Sequence, residues 1–125
     1  PLNGRDVILG DTMGELRKFY TLSTVTFVGR SLVPMGGSDP MEVAALAKPI
    51  VAGPHLDNLA VAADALRSAD ALTIASNAGD LAKTIGRLTS DPAAAKRAGD
   101  TARAVVLRHQ GATATTLESL ARLLN

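Results

Sequence analysis

The chain of 125 residues contains no cysteine and no tryptophan, and only 2% of its residues are aromatic. Without cysteine there is no disulfide, no zinc–thiolate site and no thiol nucleophile. Thirteen basic and twelve acidic residues give a net charge of +1, too little to attract nucleic acid or anionic lipid. No apolar run approaches the roughly 20 residues that cross a bilayer, and no signal peptide is visible. These absences favour a cytoplasmic protein that binds no nucleic acid.

What the sequence does contain is an alternation of short apolar runs and helical patterns. The runs predict four strands, at residues 7–10, 25–29, 49–53 and 71–75. Helices are predicted at 12–22, from Asp39-Pro40 onward, at 58–69 and at 79–88. After Ser90 the pattern is purely helical. Asp91-Pro92 predicts the start of a helix that ends near His109, and Gly111 separates it from a last amphipathic helix.

Continuous apolar strands that alternate with helices are typical of a parallel sheet with right-handed crossovers. We therefore predict an α/β fold: a partial Rossmann-like parallel sheet with a helical C-terminal tail, all within one domain, 1–125. Four strands are few for this architecture. Either the chain is a minimal α/β unit, or upstream strands are missing from it.

In open parallel sheets, ligands bind beyond the carboxyl ends of the strands, where helix N-termini present unpaired N–H groups. The first segment with suitable composition is 10–16. Thr12 and Glu15 have capping-box spacing, and Gly14 leaves the first helical turn bare for a ligand. The segment is therefore either a well-capped helix start or a ligand-binding turn.

The second segment, 36–42, places paired glycines before a helix, where backbone donors can face a phosphate. Asp39 is predicted to be the N-cap, Pro40 the first helical residue and Glu42 the capping-box partner. Alternatively, Glu42 accepts hydrogen bonds from ribose hydroxyls.

The two histidines suggest no catalytic or metal site. His55 is a loop residue at the same edge of the sheet, and His109 is predicted to stabilise a helix C-terminus. No cluster of residues has the spacing of metal ligands.

The segment 10–16, Gly-Asp-Thr-Met-Gly-Glu-Leu, resembles the signature of bacterial 3-deoxy-D-manno-octulosonic acid (Kdo) transferases. The similarity spans nearly the whole chain in the same order. It continues through Phe27-Val28-Gly29, Ser31-Leu32-Val33, Gly36-Gly37, Pro40 with Glu42, Ala44-Ala45, Lys48-Pro49, Gly53-Pro54-His55 and Asn58.

This resemblance implies part of the C-terminal, donor-binding lobe of a two-lobed GT-B glycosyltransferase. The lobe that carries the catalytic carboxylate and the acceptor side is absent, as are the first strands of the donor lobe. No catalytic residue, metal or cofactor is then expected in this chain. The implied contacts with CMP are made by Met13, Gly14, Glu15, Gly36, Gly37, Ser38, Asp39, Pro40, Met41 and Glu42, with Arg30, His55 and Asn58 as further candidates.

The chain departs from the family pattern at several of these positions. Arg30 stands where the family usually has glycine, Ser38 where it has histidine, and Asp39 where it has asparagine. A carboxylate at position 39 repels a phosphate, and Arg30 can offset that repulsion. Aromatic residues that the family places around Asn58 are also missing.

The resemblance implies a transferase that moves Kdo from CMP-Kdo onto a lipid A precursor at the cytoplasmic face of the inner membrane. Contacts with the acceptor and the membrane are expected only through the missing N-terminal part. Another GT-B enzyme with a different nucleotide sugar, and a non-catalytic α/β interaction module, remain open. The uncovered sheet edge also predicts that this chain self-associates.

Overall fold

The computed structural model describes residues 7–124. Within this range the backbone forms three short strands and five α-helices. Their bounds are α1 Leu16–Leu22, β1 Thr26–Val28, α2 Met41–Ala45, β2 Ile50–Ala52, α3 Ala60–Ser68, β3 Leu72–Ile74, α4 Ala78–Ser90 and α5 Pro92–Leu124. One turn of 3-10 helix, Asp57–Leu59, precedes α3.

The three strands form one parallel sheet in the order β1-β2-β3. Thr26 lies beside Ile50, and Ile50 lies beside Leu72, so the strands start at the same level. Consequently the loops that follow β1 and β2 leave the sheet at the same edge. The predicted α/β fold with a parallel sheet is confirmed.

Helices cover both faces of the sheet. Successive residues of a strand point to opposite faces, so Ile50 and Val51 of β2 enter different clusters. Ile50 packs with residues of α2, α3 and α5, including Val43, Leu66 and Val105. Val51 packs on the other face with Leu88 of α4 and the start of α5. This two-sided burial explains why the strands appear in the sequence as uninterrupted apolar runs.

The strand predicted at residues 7–10 does not form. Val7, Ile8 and Leu9 are 96%, 68% and 85% exposed, and no strand within 7–124 pairs with them. A strand requires a neighbour for its backbone N–H and C=O groups, and an apolar run without that neighbour gains nothing from extended pairing. The sheet therefore has three strands among the described residues, rather than four.

Two predicted helix boundaries were wrong by more than two residues. Helix α1 starts at Leu16 instead of Thr12, and α5 continues through Gly111 to Leu124. A glycine inside a helix costs about 1 kcal/mol relative to alanine, which is too little by itself to end a helix. Residues beyond Val106 in α5 are all exposed. In the segment 7–124, no helix is both long and apolar enough to cross a membrane.

Candidate functional site

The loop between β1 and α2 is closed by its own backbone. The Gly37 N–H donates to the Arg30 carbonyl at 2.9 Å, and Arg30 Nη2 donates to the Met35 carbonyl at 3.2 Å. Arg30, Gly36 and Gly37 have φ values of 60°, 85° and 76°. Glycine adopts such angles freely, whereas Arg30 places a side chain in the left-handed region. The Gly37 N–H is thus engaged within the loop, while the N–H groups of Gly36 and Ser38 have no partner within 7–124.

Ser31 connects this loop to the one that follows β2. Its buried hydroxyl donates to the Val28 carbonyl at 2.5 Å and accepts from the Gly53 N–H at 2.8 Å. Its backbone carbonyl accepts from the His55 N–H at 2.9 Å. A side chain at Gly53 would overlap the Ser31 carbonyl, so the two backbones are in direct contact.

The paired glycines lie against the same second loop. A Cβ at Gly36 would overlap the amide of Asn58, and a Cβ at Gly37 would overlap Leu56. Both glycines also have positive φ, so a larger residue at either position would be strained and would require Asn58 or Leu56 to move. The predicted candidates Gly36, Gly37 and Asn58 are therefore brought together, with His55 half-buried beside them.

The N-terminus of α2 follows directly. Asp39 Oδ1 accepts a hydrogen bond from the Met41 N–H at 2.9 Å, and Pro40 is buried in the N-cap position. The helix thus begins one residue later than predicted. Glu42 lies in the first turn, exposed, and no hydrogen bond from another residue of 7–124 reaches its carboxylate. The predicted capping box between Asp39 and Glu42 is not formed, because the Asp39 carboxylate accepts from the Met41 N–H instead of the Glu42 N–H.

The segment that precedes α1 is exposed and differs from its predicted geometry. The Thr12 hydroxyl donates to Glu15 Oε2 at 2.6 Å, and Lys18 Nζ lies 2.9 Å from Glu15 Oε1. These two contacts, Thr12 first, hold the pKa of Glu15 below its ordinary value. The side chains bond to each other instead of forming a capping box. Gly14 has φ 78° with open space around it, and Met13 is 97% exposed.

Tyr20 is a residue of this region that the sequence prediction missed. It is the chain's single tyrosine, is half-buried in α1, and packs against the main core beside α2. Burial raises its pKa above the ordinary value, and the negative charges of Glu42 and then Asp39 raise it further. The pKa of the Tyr20 phenol therefore depends on both carboxylates at the α2 N-terminus. The signal available in the sequence was the position of Tyr20 in the helix that directly precedes β1.

A cavity of about 250 Å³ lies between the second loop, α3 and β3. Pro54 and Leu56 line it from the loop, Asp64 and Arg67 from α3, and Ile74 from β3. Leu56 thus contacts both this cavity and Gly37.

His109 lies away from the loops, exposed on α5. Among residues 7–124, no group of three His, Asp or Glu side chains is placed to hold a metal ion.

Comparison with known proteins gives related sequences and a related structure, while no family model matches the chain. A 3-deoxy-D-manno-octulosonic acid transferase of Bordetella pertussis is 36% identical over 118 residues, covering 92% of this chain and 27% of the relative. The enzyme of the same description from Haemophilus influenzae is 33% identical over 121 residues, covering 96% and 28%. The chain therefore spans little more than a quarter of the length of these curated relatives.

One related solved structure is the C-terminal CMP-Kdo binding domain of WaaA from Acinetobacter baumannii. It superposes with a TM-score of 0.74 at 34% sequence identity, covering 78% of this chain and 51% of that one. The resemblance to Kdo transferases is confirmed by these matches, as is its restriction to the C-terminal part. The partial parallel sheet with a helical C-terminal segment is confirmed at the same time.

Proposed function

We propose that this chain is the CMP-Kdo-binding portion of a glycosyltransferase that transfers Kdo to a lipid A precursor in lipopolysaccharide biosynthesis. The observation that carries the proposal is the similarity, in sequence and in fold, to a solved domain described as CMP-Kdo binding. The chain's own geometry supports it, because the α2 N-terminus and two touching loops gather at one edge of the sheet.

The nucleotide would lie across this edge. Glu42 has an exposed carboxylate without a competing partner within 7–124, which suits it to accept hydrogen bonds from ribose hydroxyls. The N–H groups of Gly36 and Ser38 are the donors left for the phosphate, and the exposed Arg30 supplies positive charge. Pro40 and Met41 shape the helix start, and Asn58 and His55 bound the site from the second loop.

The remaining candidates, Met13, Gly14 and Glu15, would complete the site from the segment that precedes α1. Because Gly14 has open space around it, a ligand can approach that turn closely. The Thr12 hydroxyl and the Lys18 ammonium hold the pKa of Glu15 below its ordinary value, which favours its ionised form. An ionised carboxylate accepts hydrogen bonds and donates none, so it favours the hydroxyl and amino groups of a nucleotide over its phosphate.

In the whole enzyme, a general base would remove the proton of the acceptor hydroxyl as that oxygen attacks Kdo and CMP leaves. We assign this base to the missing lobe, and with it the lipid A precursor and contact with the inner membrane at its cytoplasmic face. The reaction would need no cofactor or metal. The 125-residue chain alone should therefore show no Kdo transfer to a lipid A precursor above a protein-free control.

Calorimetric titration of the chain with CMP, UMP and UDP tests the proposal. We expect CMP to bind more tightly than UMP and UDP, with the same affinity in the presence of EDTA. Preference for a uridine nucleotide would favour a GT-B enzyme with another donor. Absence of binding by all three would favour a non-catalytic interaction module.

A further inference from the structure

We propose that Ser31 is a positioning residue of the nucleotide site: its hydroxyl holds the glycine turn at 36–37 against the loop 53–58, so that both loops form one binding surface. The inference rests on the proposed function, because the surface concerned is the proposed CMP site. Ser31 has no exposed surface and therefore acts through the backbone, without touching the nucleotide.

The Ser31 hydroxyl both donates a hydrogen bond and accepts one. A serine hydroxyl has one proton to donate and lone pairs to accept with. Here the proton goes to the carbonyl of Val28 at the end of β1, and a lone pair takes the N–H of Gly53 after β2. The hydroxyl thus joins the two neighbouring strand ends at the point where both loops begin. Alanine would leave the Gly53 N–H buried without a partner, which is costly.

Ser31 is also linked to the glycine turn through the backbone. The preceding residue, Arg30, accepts the hydrogen bond that closes the turn at Gly37, and the Ser31 carbonyl accepts from His55. Asn58 and Leu56 then lie directly against Gly36 and Gly37. If Ser31 releases Gly53, the turn loses its fixed distance from Asn58, and the Gly36 and Ser38 donors move with it.

The test compares Ser31→Ala with Val105→Ala, a matched control that also removes buried atoms. Val105 is 3% exposed in α5 and belongs to the main core, outside both loops. CMP affinity is measured by calorimetry below the melting temperature of each variant. We expect Ser31→Ala to weaken CMP binding by about tenfold, because CMP must then bring the released loops back together, at a cost comparable to one lost buried hydrogen bond. We expect Val105→Ala to change the affinity by less than about twofold, since sites without shared partners behave independently. Equal affinities for Ser31→Ala and the unsubstituted chain would overturn the inference.

Amide hydrogen exchange on the unsubstituted chain provides a second measurement that needs no variant. If one hydroxyl joins the loops, saturating CMP should slow exchange of the Gly37, Gly53 and His55 amides by similar factors. Slowing at Gly37 with none at Gly53 would contradict the inference. If the unsubstituted chain binds no CMP at all, it is the proposed function that fails.

Discussion

Gly99 of α5 lies directly against the carbonyl of Ala47, in the turn that connects α2 to β2. A Cβ at position 99 would overlap the carbonyl oxygen and carbon of Ala47. Ala47 itself has φ 55°, and Gly99 is buried. Because both sides of this contact are backbone, neither can rotate away. The contact fixes the long helix against the turn that leads into the central strand.

Gly99→Ala should therefore destabilise the fold although alanine is the better helix former. Overpacking against rigid neighbours costs about 1–3 kcal/mol, more than the roughly 1 kcal/mol gained in helix propensity. Gly86→Ala in α4 is the matched control, because nothing lies within 4 Å of its Cβ position. That variant should be stabilised by about 0.5–1 kcal/mol. Urea unfolding of both variants checks the prediction, which is contradicted if Gly99→Ala unfolds at higher urea than the unsubstituted chain.

Burial on both faces made β1, β2 and β3 predictable from the sequence. Val51 has no exposed surface, and its strand was located to within one residue at each end. The run Val7–Leu9 carries the same local signal, yet forms no strand, because pairing depends on a neighbour that local sequence does not report. Local sequence therefore predicted where strands could form, but not whether each would find a strand to pair with.

The candidate site was predictable only in part, for a similar reason. The spacing of Asp39, Pro40 and Glu42 located a helix start to within one residue, but the capping-box bond predicted for Glu42 does not form. The family's usual glycine at position 30 is explained by the left-handed backbone there, which Arg30 adopts with φ 60°. Ser31 was part of the resemblance without an assigned role, since a lone serine in a loop carries no periodic signal.

Tyr20 should report on the charges at the α2 N-terminus. Because burial and then the carboxylates of Glu42 and Asp39 raise its pKa, tyrosinate should form only above the ordinary tyrosine range. Glu42→Gln removes one negative charge and should lower that pKa partway, leaving the effect of burial.

Alkaline absorbance titration measures the pKa of Tyr20 without overlapping signals, because the chain has one tyrosine and no tryptophan. Circular dichroism confirms that the fold persists over the titration, and Glu118→Gln, in the exposed end of α5, should leave the midpoint unchanged. An identical midpoint for Glu42→Gln would contradict the prediction.

The outer edge of β1 should make the isolated chain self-associate. Within 7–124 no strand pairs with that edge, and Leu16 and Phe19 of the nearby α1 are 54% and 43% exposed. Open strand edges and apolar patches promote association between copies. Light scattering over a concentration series should show the mean mass rising with concentration. A constant monomer mass throughout would mean that the edge is protected.

Glu42→Gln distinguishes a binding carboxylate from a structural one. The Glu42 carboxylate makes no hydrogen bond to another residue within 7–124, so stability should change little. Loss of a charged acceptor for ribose hydroxyls removes about 1.5–3 kcal/mol, which predicts CMP binding at least roughly tenfold weaker. Calorimetry beside a thermal melt measures both effects. Glu118→Gln is the control for the loss of charge, and unchanged CMP affinity in Glu42→Gln would exclude Glu42 from the site.

Asp39→Asn should act in the opposite direction and strengthen CMP binding. The Asp39 carboxylate caps α2 through the Met41 N–H, at the point where the resemblance places the nucleotide. Asparagine keeps an oxygen acceptor for that N–H, so the cap and the stability should be preserved. The substitution removes a negative charge that repels the phosphate. Exposed charge interactions are worth about 0.2–1 kcal/mol, which predicts an affinity gain of about 1.5- to 5-fold.

Salt dependence gives this last prediction its check. Screening weakens the interaction between exposed charges, so the gain from Asp39→Asn should shrink as salt is raised from about 0.01 M to 1 M. Asp70→Asn is the matched control, because Asp70 is also exposed but lies just before β3, at the edge of the sheet opposite the site. It should change CMP affinity less than Asp39→Asn at low salt. Weaker binding by Asp39→Asn with an unchanged melting temperature would instead mean that the carboxylate itself contacts the nucleotide, as Glu42 is proposed to do.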